Sequence, residues 1–164
     1  MYKGKAKYIT QGAVIAALYV VLTLIANMFQ MSNAIVQVRI SEALCILPYF
    51  TPAAIPGLFV GCLLSNFFTG CPIWDVLIGS SATLVAAVIS FLLRKYKFLV
   101  PIPPIIINAF AVAYTYCVIL RLDDRSFWAS VLLVGAGELI SCGVLGAALL
   151  LGLEDYKDKL FPKD

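Results

Sequence analysis

The sequence predicts an all-α, polytopic membrane protein: one six-helix transmembrane bundle forming a single domain over residues 1–164, with both termini cytoplasmic. Three observations carry that expectation. Hydrophobic residues make up 62% of the chain and charged residues 13%, against roughly 45–50% and about 25% in ordinary soluble domains. The mean hydropathy of +0.98 leaves too little polar surface to cover the molecule in water. Six apolar segments, punctuated by Pro, Gly and charged residues, fill nearly the whole length.

Taken in order, the segments are 9–28, 41–50, 52–68, 74–93, 100–120 and 127–153. A helix rises about 1.5 Å per residue, so roughly 20 apolar residues cross the hydrocarbon. Segments one, four, five and six meet that length. The first has a basic start but too long an apolar run, with no small-residue exit, to read as a cleaved leader. The second is too short for a straight crossing and ends at Pro48-Tyr-Phe-Thr-Pro52, where two prolines oppose a regular helix. It reads as a short or irregular helix packed inside protein, the place where such backbone is tolerated at depth. The third carries Gly57 and Gly61 as a GxxxG, and the first carries Ala13 and Ala17 as an A-x-x-x-A, overlapped by Gly12 and Ala16. Small-xxx-small faces let helices approach closely, and for the GxxxG internal packing is the plain reading.

Orientation follows from the basic residues. With six crossings, Lys3, Lys5, Lys7, Arg94, Lys95, Lys97, Lys157, Lys159 and Lys163 share one side, the cytoplasm, leaving Arg39, Arg121 and Arg125 opposite. The outer loops are then 30–40, 69–73 and 121–126.

In lipid the informative residues are the polar ones at depth, since a mid-helix carboxylate costs around 2.5–3.5 kcal/mol on insertion scales. Glu138 is the clearest case, with Gly135, Ser141 and Cys142 on its helical face. Asn108 shares its side with Ala111, Val112 and Thr115. Asp75 heads a stripe of Gly79, Ala82, Thr83, Ala86 and Ser90, Asn66 ends the third segment, and Arg39 and Glu42 stand three apart before the second. These residues predict a pocket open to the outside and floored near mid-membrane, with Trp74, Tyr114, Tyr116 and Phe110 available as flat walls. Plainer roles remain open. Asn66, Thr83 and Ser90 serve equally as interhelical glue, Arg39 with Glu42 as a structural ion pair, and Asp75 as a charge favoured by its helix N-terminus.

The same sequence excludes much. The net charge of +3 is too mild and dispersed for a nucleic-acid binder, and His is absent, removing the commonest general base and metal ligand. There is no P-loop and no nucleophile–base pair, so no catalytic residue and no cofactor are expected. The five cysteines are scattered singly and read as small apolar packing residues, with no metal site expected.

The run from Val38 through Arg39-Ile-Ser-Glu42-Ala-Leu-Cys-Ile-Leu-Pro-Tyr-Phe-Thr-Pro-Ala-Ala-Ile-Pro-Gly57 to Ser65-Asn66 resembles the QueT family, the substrate-binding S components of energy-coupling factor (ECF) transporters for queuosine precursors. The resemblance continues through Trp74-Asp75-Val-Leu-Ile-Gly-Ser, Asn108-Ala and Gly135-Ala-Gly-Glu138-Leu-Ile, covering about 12–152. It implies a non-catalytic membrane subunit with a ligand pocket near the outer surface and a lid formed by 30–40. It implies as partners a transmembrane coupling protein, docked on Ala13 and Ala17, and two cytosolic ATPases. It implies delivery by toppling of the S component within the membrane. The implied ligand is a 7-deazaguanine such as preQ1 or preQ0. Its two adjacent donors suit the Glu138 carboxylate, Asn108 suits the ring carbonyl or pyrrole N–H, and Asp75 or Glu42 suits a cationic aminomethyl group. Trp74 or Tyr114 suits the ring faces. A lone secondary carrier or channel, or an S component for another small vitamin-like ligand, are the alternatives.

Overall fold

The computed structural model describes residues 2–29, 39–123 and 126–161, and among these every regular element is helical. Helix α1 spans Tyr2–Met28, and a 3₁₀ helix follows at Ile40–Tyr49. Then come α2 (Ala54–Phe68), α3 (Ile73–Leu92), a 3₁₀ turn at Lys97–Leu99, and α4 (Ile102–Tyr114), which widens into a π-helical turn at Thr115–Ile119. The last long helix is α5 (Phe127–Glu138), a π segment at Leu139–Leu145 and α6 (Gly146–Glu154), followed by the short α7 (Lys157–Leu160).

Four stretches are long and apolar enough to cross a bilayer: Lys5–Met28, Ile73–Leu92, Lys97–Ile119 and Phe127–Glu154. Two shorter apolar helices, Ile40–Tyr49 and Ala54–Phe68, lie between the first and second of them. The molecule is a multi-pass membrane protein, and its surface agrees with lipid as solvent. Large apolar side chains such as Val14, Leu18, Val21, Leu132 and Val144 are exposed, while Ser41, Glu42, Ser65, Asn66, Asp75, Asn108 and Glu138 are buried. The expected small stripe of α3 is confirmed as an inward face, with Ala82, Thr83, Ala86 and Ser90 buried.

The long helices pack in chain order, α1 on α2, α2 on α3, α3 on α4 and α4 on α5. The 3₁₀ helix occupies the middle, against α1, α2, α3, α6 and the π segment, and Ser41 through Pro48 are buried. Ten residues is long for a 3₁₀ helix, whose hydrogen bonds are poorly aligned. Burial on every side holds it. Its three-residue turn aligns Glu42, Cys45 and Pro48 in one row, a register that an α-helix would break.

Glycine sets the α1–α2 approach. A Cβ on Gly57 would stand 2.7 Å from the Gly12 carbonyl oxygen, and one on Gly61 2.8 Å from Tyr19 Cβ. The GxxxG is therefore internal packing, and it meets the Gly12–Ala16 face of α1. Ala13 and Ala17 lie on the exposed face of the same helix. At the far end of α2, Cys71 N–H donates to Asn66 O at 3.0 Å and Gly70 N–H to Phe67 O at 3.2 Å, with Gly70 at φ 74°. This is a Schellman cap, and glycine alone takes that backbone without strain. At the opposite end, Gln11 Nε2 donates to Leu160 O at 3.3 Å and Lys97 pairs with Glu154 at 3.0 Å. The start of α1, the α3–α4 connection and the end of the last helix thus meet at one end of the bundle.

A buried polar cluster as candidate binding site

Glu42 is the hub of the interior. The 3₁₀ helix carries it to the centre with almost no exposure. One carboxylate oxygen accepts a hydrogen bond from the Tyr19 hydroxyl of α1. The other accepts from Cys45 Sγ at 3.0 Å and from Asn108 Nδ2 of α4 at 3.3 Å. The expected ion pair with Arg39 is replaced by this arrangement. A 3₁₀ turn points Glu42 into the bundle, and the Arg39 guanidinium donates instead to Asn66 Oδ1 at 3.3 Å, on the capped end of α2. The Arg39 backbone N–H donates to Ser141 Oγ at 3.1 Å, tying the entry of the 3₁₀ helix to the π segment.

Asp75 lies in the first turn of α3, buried, and its Oδ2 accepts from the Tyr116 hydroxyl at 3.2 Å. Arg39 is within its electrostatic reach and that of Glu42. Glu138 ends α5 where the helix widens into the π segment, and it is buried with Gly137, Ser141 and Cys142. Asn108 stands beside it. Among the described residues, two buried oxygens here have no hydrogen-bond partner: Asn108 Oδ1 and Glu138 Oε2. Buried polar atoms are almost always paired, because each unpaired one costs about 1–3 kcal/mol. Orphan acceptors on two neighbouring side chains therefore mark a place where a donor is wanted. The cluster also sets three carboxyl groups, Glu42, Asp75 and Glu138, against the single guanidinium of Arg39.

Six of the residues singled out from sequence, Arg39, Glu42, Asn66, Asp75, Asn108 and Glu138, are thus brought together. Trp74 and Tyr114 are not. Both are about half exposed on the outer surface. Adjacent helical positions do not share a face, so turning Asp75 inward turns Trp74 outward. Tyr114 is six residues from Asn108, about 240° around at 3.6 residues per turn. Phe110 packs on the outside with Phe127 and Trp128, ring centroids 6.3 and 6.2 Å away. The aromatic residues that touch the cluster are Tyr19 and Tyr116. Tyr116 was among the candidate walls, whereas Tyr19 was missed, although it lies on the Gly12–Ala16 face of α1. The plainer role holds for Thr83 and Ser90, whose hydroxyls reach Cys62 Sγ at 3.5 Å and Val100 O at 2.8 Å. Of the expected lid, 30–40, all but the last two residues lie outside the described residues. A mostly apolar cavity of about 520 Å³ between α1, the 3₁₀ helix, α6 and α7 is separate from the cluster, lined by Gln11, Ile15, Leu44, Leu153 and Phe161 among others.

The fold and this interior define a multi-pass membrane protein with a polar centre enclosed by lipid-facing helices. A sequence model of the QueT transporter family matches residues 9–155, and the chain belongs to that family. Membership points to a transporter rather than an enzyme. The chain is also similar to the queuosine precursor transporter QueT of Lactococcus lactis subsp. cremoris strain MG1363, 36% identical over 85 residues. That match covers 52% of this chain and 50% of the relative, so it spans about half the relative's length. No solved structure matches.

Proposed function

We propose that the chain is the substrate-binding S component of an ATP-driven ECF-type importer and that it binds a queuosine precursor, a 7-deazaguanine such as preQ1 or preQ0. The observation that carries the reading is the pair of buried orphan acceptors, Asn108 Oδ1 and Glu138 Oε2. A guanine-like edge offers a ring N–H and an exocyclic amine side by side, and a carboxylate accepts both as charge-assisted bonds. Glu138 takes that edge. Asn108, whose amide nitrogen is committed to Glu42, accepts from the pyrrole N–H. The surplus of carboxyl groups over Arg39 suits the cationic aminomethyl group of preQ1, with Asp75 or Glu42 as its partner and Arg39 and Asn66 completing the rim.

Family membership and the similarity to the queuosine precursor transporter of Lactococcus support the same ligand class. The six apolar segments then cross the membrane six times, the basic residues set both termini in the cytoplasm, and the cluster opens outward. Energy comes from two cytosolic ATPases through a transmembrane coupling protein seated on the Ala13–Ala17 face, and the subunit topples to deliver its ligand.

Isothermal titration calorimetry on the detergent-solubilised chain with preQ1, preQ0, queuine and guanine tests the ligand. Saturable binding of at least one deazaguanine, tighter than guanine, is expected. No heat with any of the four would remove the ligand assignment. Uptake into liposomes holding this chain without ATPases would remove the S-component assignment.

A further inference from the structure

The sequence separates its cysteines, but the fold does not keep them apart. Cys142 Sγ lies 2.9 Å from the backbone oxygen of Glu42, a residue 100 positions earlier. Cys45 Sγ lies 3.0 Å from Glu42 Oε2. The two thiols and the Glu42 carboxylate offer ligand atoms all within 4.8 Å of one another, and all three residues are buried. In a tetrahedral site two sulfurs bound to one zinc ion at about 2.3 Å each stand about 3.8 Å apart. The existing spread therefore closes on one ion with side-chain shifts of no more than about 1 Å.

We propose that Cys45, Cys142 and Glu42 form a site for a thiophilic d10 dication of the zinc type. The proposal shares Glu42 with the ligand reading above but needs only the two thiols and that carboxylate, and its test uses no organic ligand. Each thiol proton now points at an oxygen of Glu42, and the cation takes the place of those protons. Two S–H bonds break, two sulfur–metal bonds form, and two protons leave to water, with no change of oxidation state. Two thiolates and a carboxylate carry three negative charges. The dication reduces these to one, and the Arg39 guanidinium, which acts on Glu42, offsets the remainder. Donors this rich in sulfur favour zinc-like ions over magnesium or calcium, which take oxygen alone. The carboxylate is already oriented from behind by Tyr19 and Asn108, as outer partners orient metal ligands elsewhere. An ion here ties the 3₁₀ helix to the π segment and stabilises the folded chain.

The test uses the full chain in detergent, reduced and stripped with a chelator, then titrated with Cd²⁺ as a spectroscopic stand-in for Zn²⁺. Readouts are the thiolate-to-cadmium absorption band, ion content after desalting, and melting temperature. The expected result is one ion per chain, a band intensity of two thiolates per ion, and a raised melting temperature. Cys45→Ser and Cys142→Ser each lose the band and Glu42→Gln weakens binding at least tenfold. Cys62→Ser, whose sulfur meets Asn66 and Thr83 instead, keeps both. If a cysteine variant fails to fold, the band intensity of the unmutated chain decides, since two thiolates per ion are required. No band, any other thiolate count, or a band that survives Cys45→Ser overturns the proposal and leaves the thiols as packing residues.

Discussion

Asn108 donates its amide to Glu42 across 3.3 Å while its own buried carbonyl oxygen has no partner among the described residues. One side chain on α4 thus stabilises the hub carboxylate on the 3₁₀ helix and leaves an acceptor free. The amide is held in place by one contact and offered to a guest by the other. Rigid presentation of this kind reduces the ordering cost of binding.

Glu138→Gln keeps the size of the side chain and removes the charge. A hydrogen bond to a charged group is worth about 1.5–3 kcal/mol, and tenfold corresponds to about 1.4 kcal/mol. Affinity for preQ1 is therefore expected to fall by roughly 10–100-fold in calorimetry, with the melting temperature maintained or raised because an orphan buried carboxyl is gone. Binding like the unmutated chain would show that another residue accepts the guanine edge.

Tyr19→Phe acts on stability. The hydroxyl is the donor that α1 supplies to Glu42, and it is fully buried. Removing it strips a buried carboxylate oxygen of its partner, at a cost of about 1–3 kcal/mol. Thermal unfolding in detergent is expected at a lower temperature than for the unmutated chain. An unchanged midpoint would mean that another group replaces the donor.

Gly61→Ala and Gly135→Ala separate a tight helix contact from a roomy one. The added methyl at Gly61 meets Tyr19 Cβ at 2.8 Å and the Ala16 oxygen at 3.1 Å, whereas at Gly135 its nearest neighbour is Ala109 Cβ at 3.6 Å. Overpacking costs about 1–3 kcal/mol, so Gly61→Ala lowers the melting temperature. Gly135→Ala stays within about 0.5 kcal/mol of the original. Equal effects would contradict the α1–α2 packing described above.

Ala13→Trp probes the exposed small face of α1. The residue points away from the bundle, so ligand affinity and melting temperature are expected to hold. Capture by the coupling protein in a pull-down from native membranes is expected to be lost. Retained capture would place the docking surface elsewhere.

Much of this architecture was legible beforehand because its causes are local. Pro48 and Pro52 announced an irregular second segment, and the structure makes it a 3₁₀ helix. The small residues after Asp75 announced an inward stripe, and α3 buries it. Helical spacing put Ser141 and Cys142 with Glu138, and all three are buried together. The N-terminal helix begins earlier than expected, at Tyr2, since Lys residues are good helix formers. The misses have two causes. Trp74 and Tyr114 face outward because Asp75 and Asn108 on the same helices face inward, a consequence of helical spacing that choosing aromatic residues by type overlooked. Glu42 pairs with Tyr19 and Asn108 rather than Arg39 because of the 3₁₀ turn and of how distant helices pack around it, which no local pattern specifies.

By itself, then, the sequence determined the solvent, the order of the apolar helices and which polar residues had to turn inward, because the cost of exposing a charge to lipid is paid residue by residue. Only the tertiary structure decided who meets whom. Asn108 reaches Glu42 across 66 positions and Cys142 reaches it across 100. Those meetings follow from helix rotation and from the 3₁₀ and π turns that set it, and packing across the whole bundle, not any local pattern, selects them.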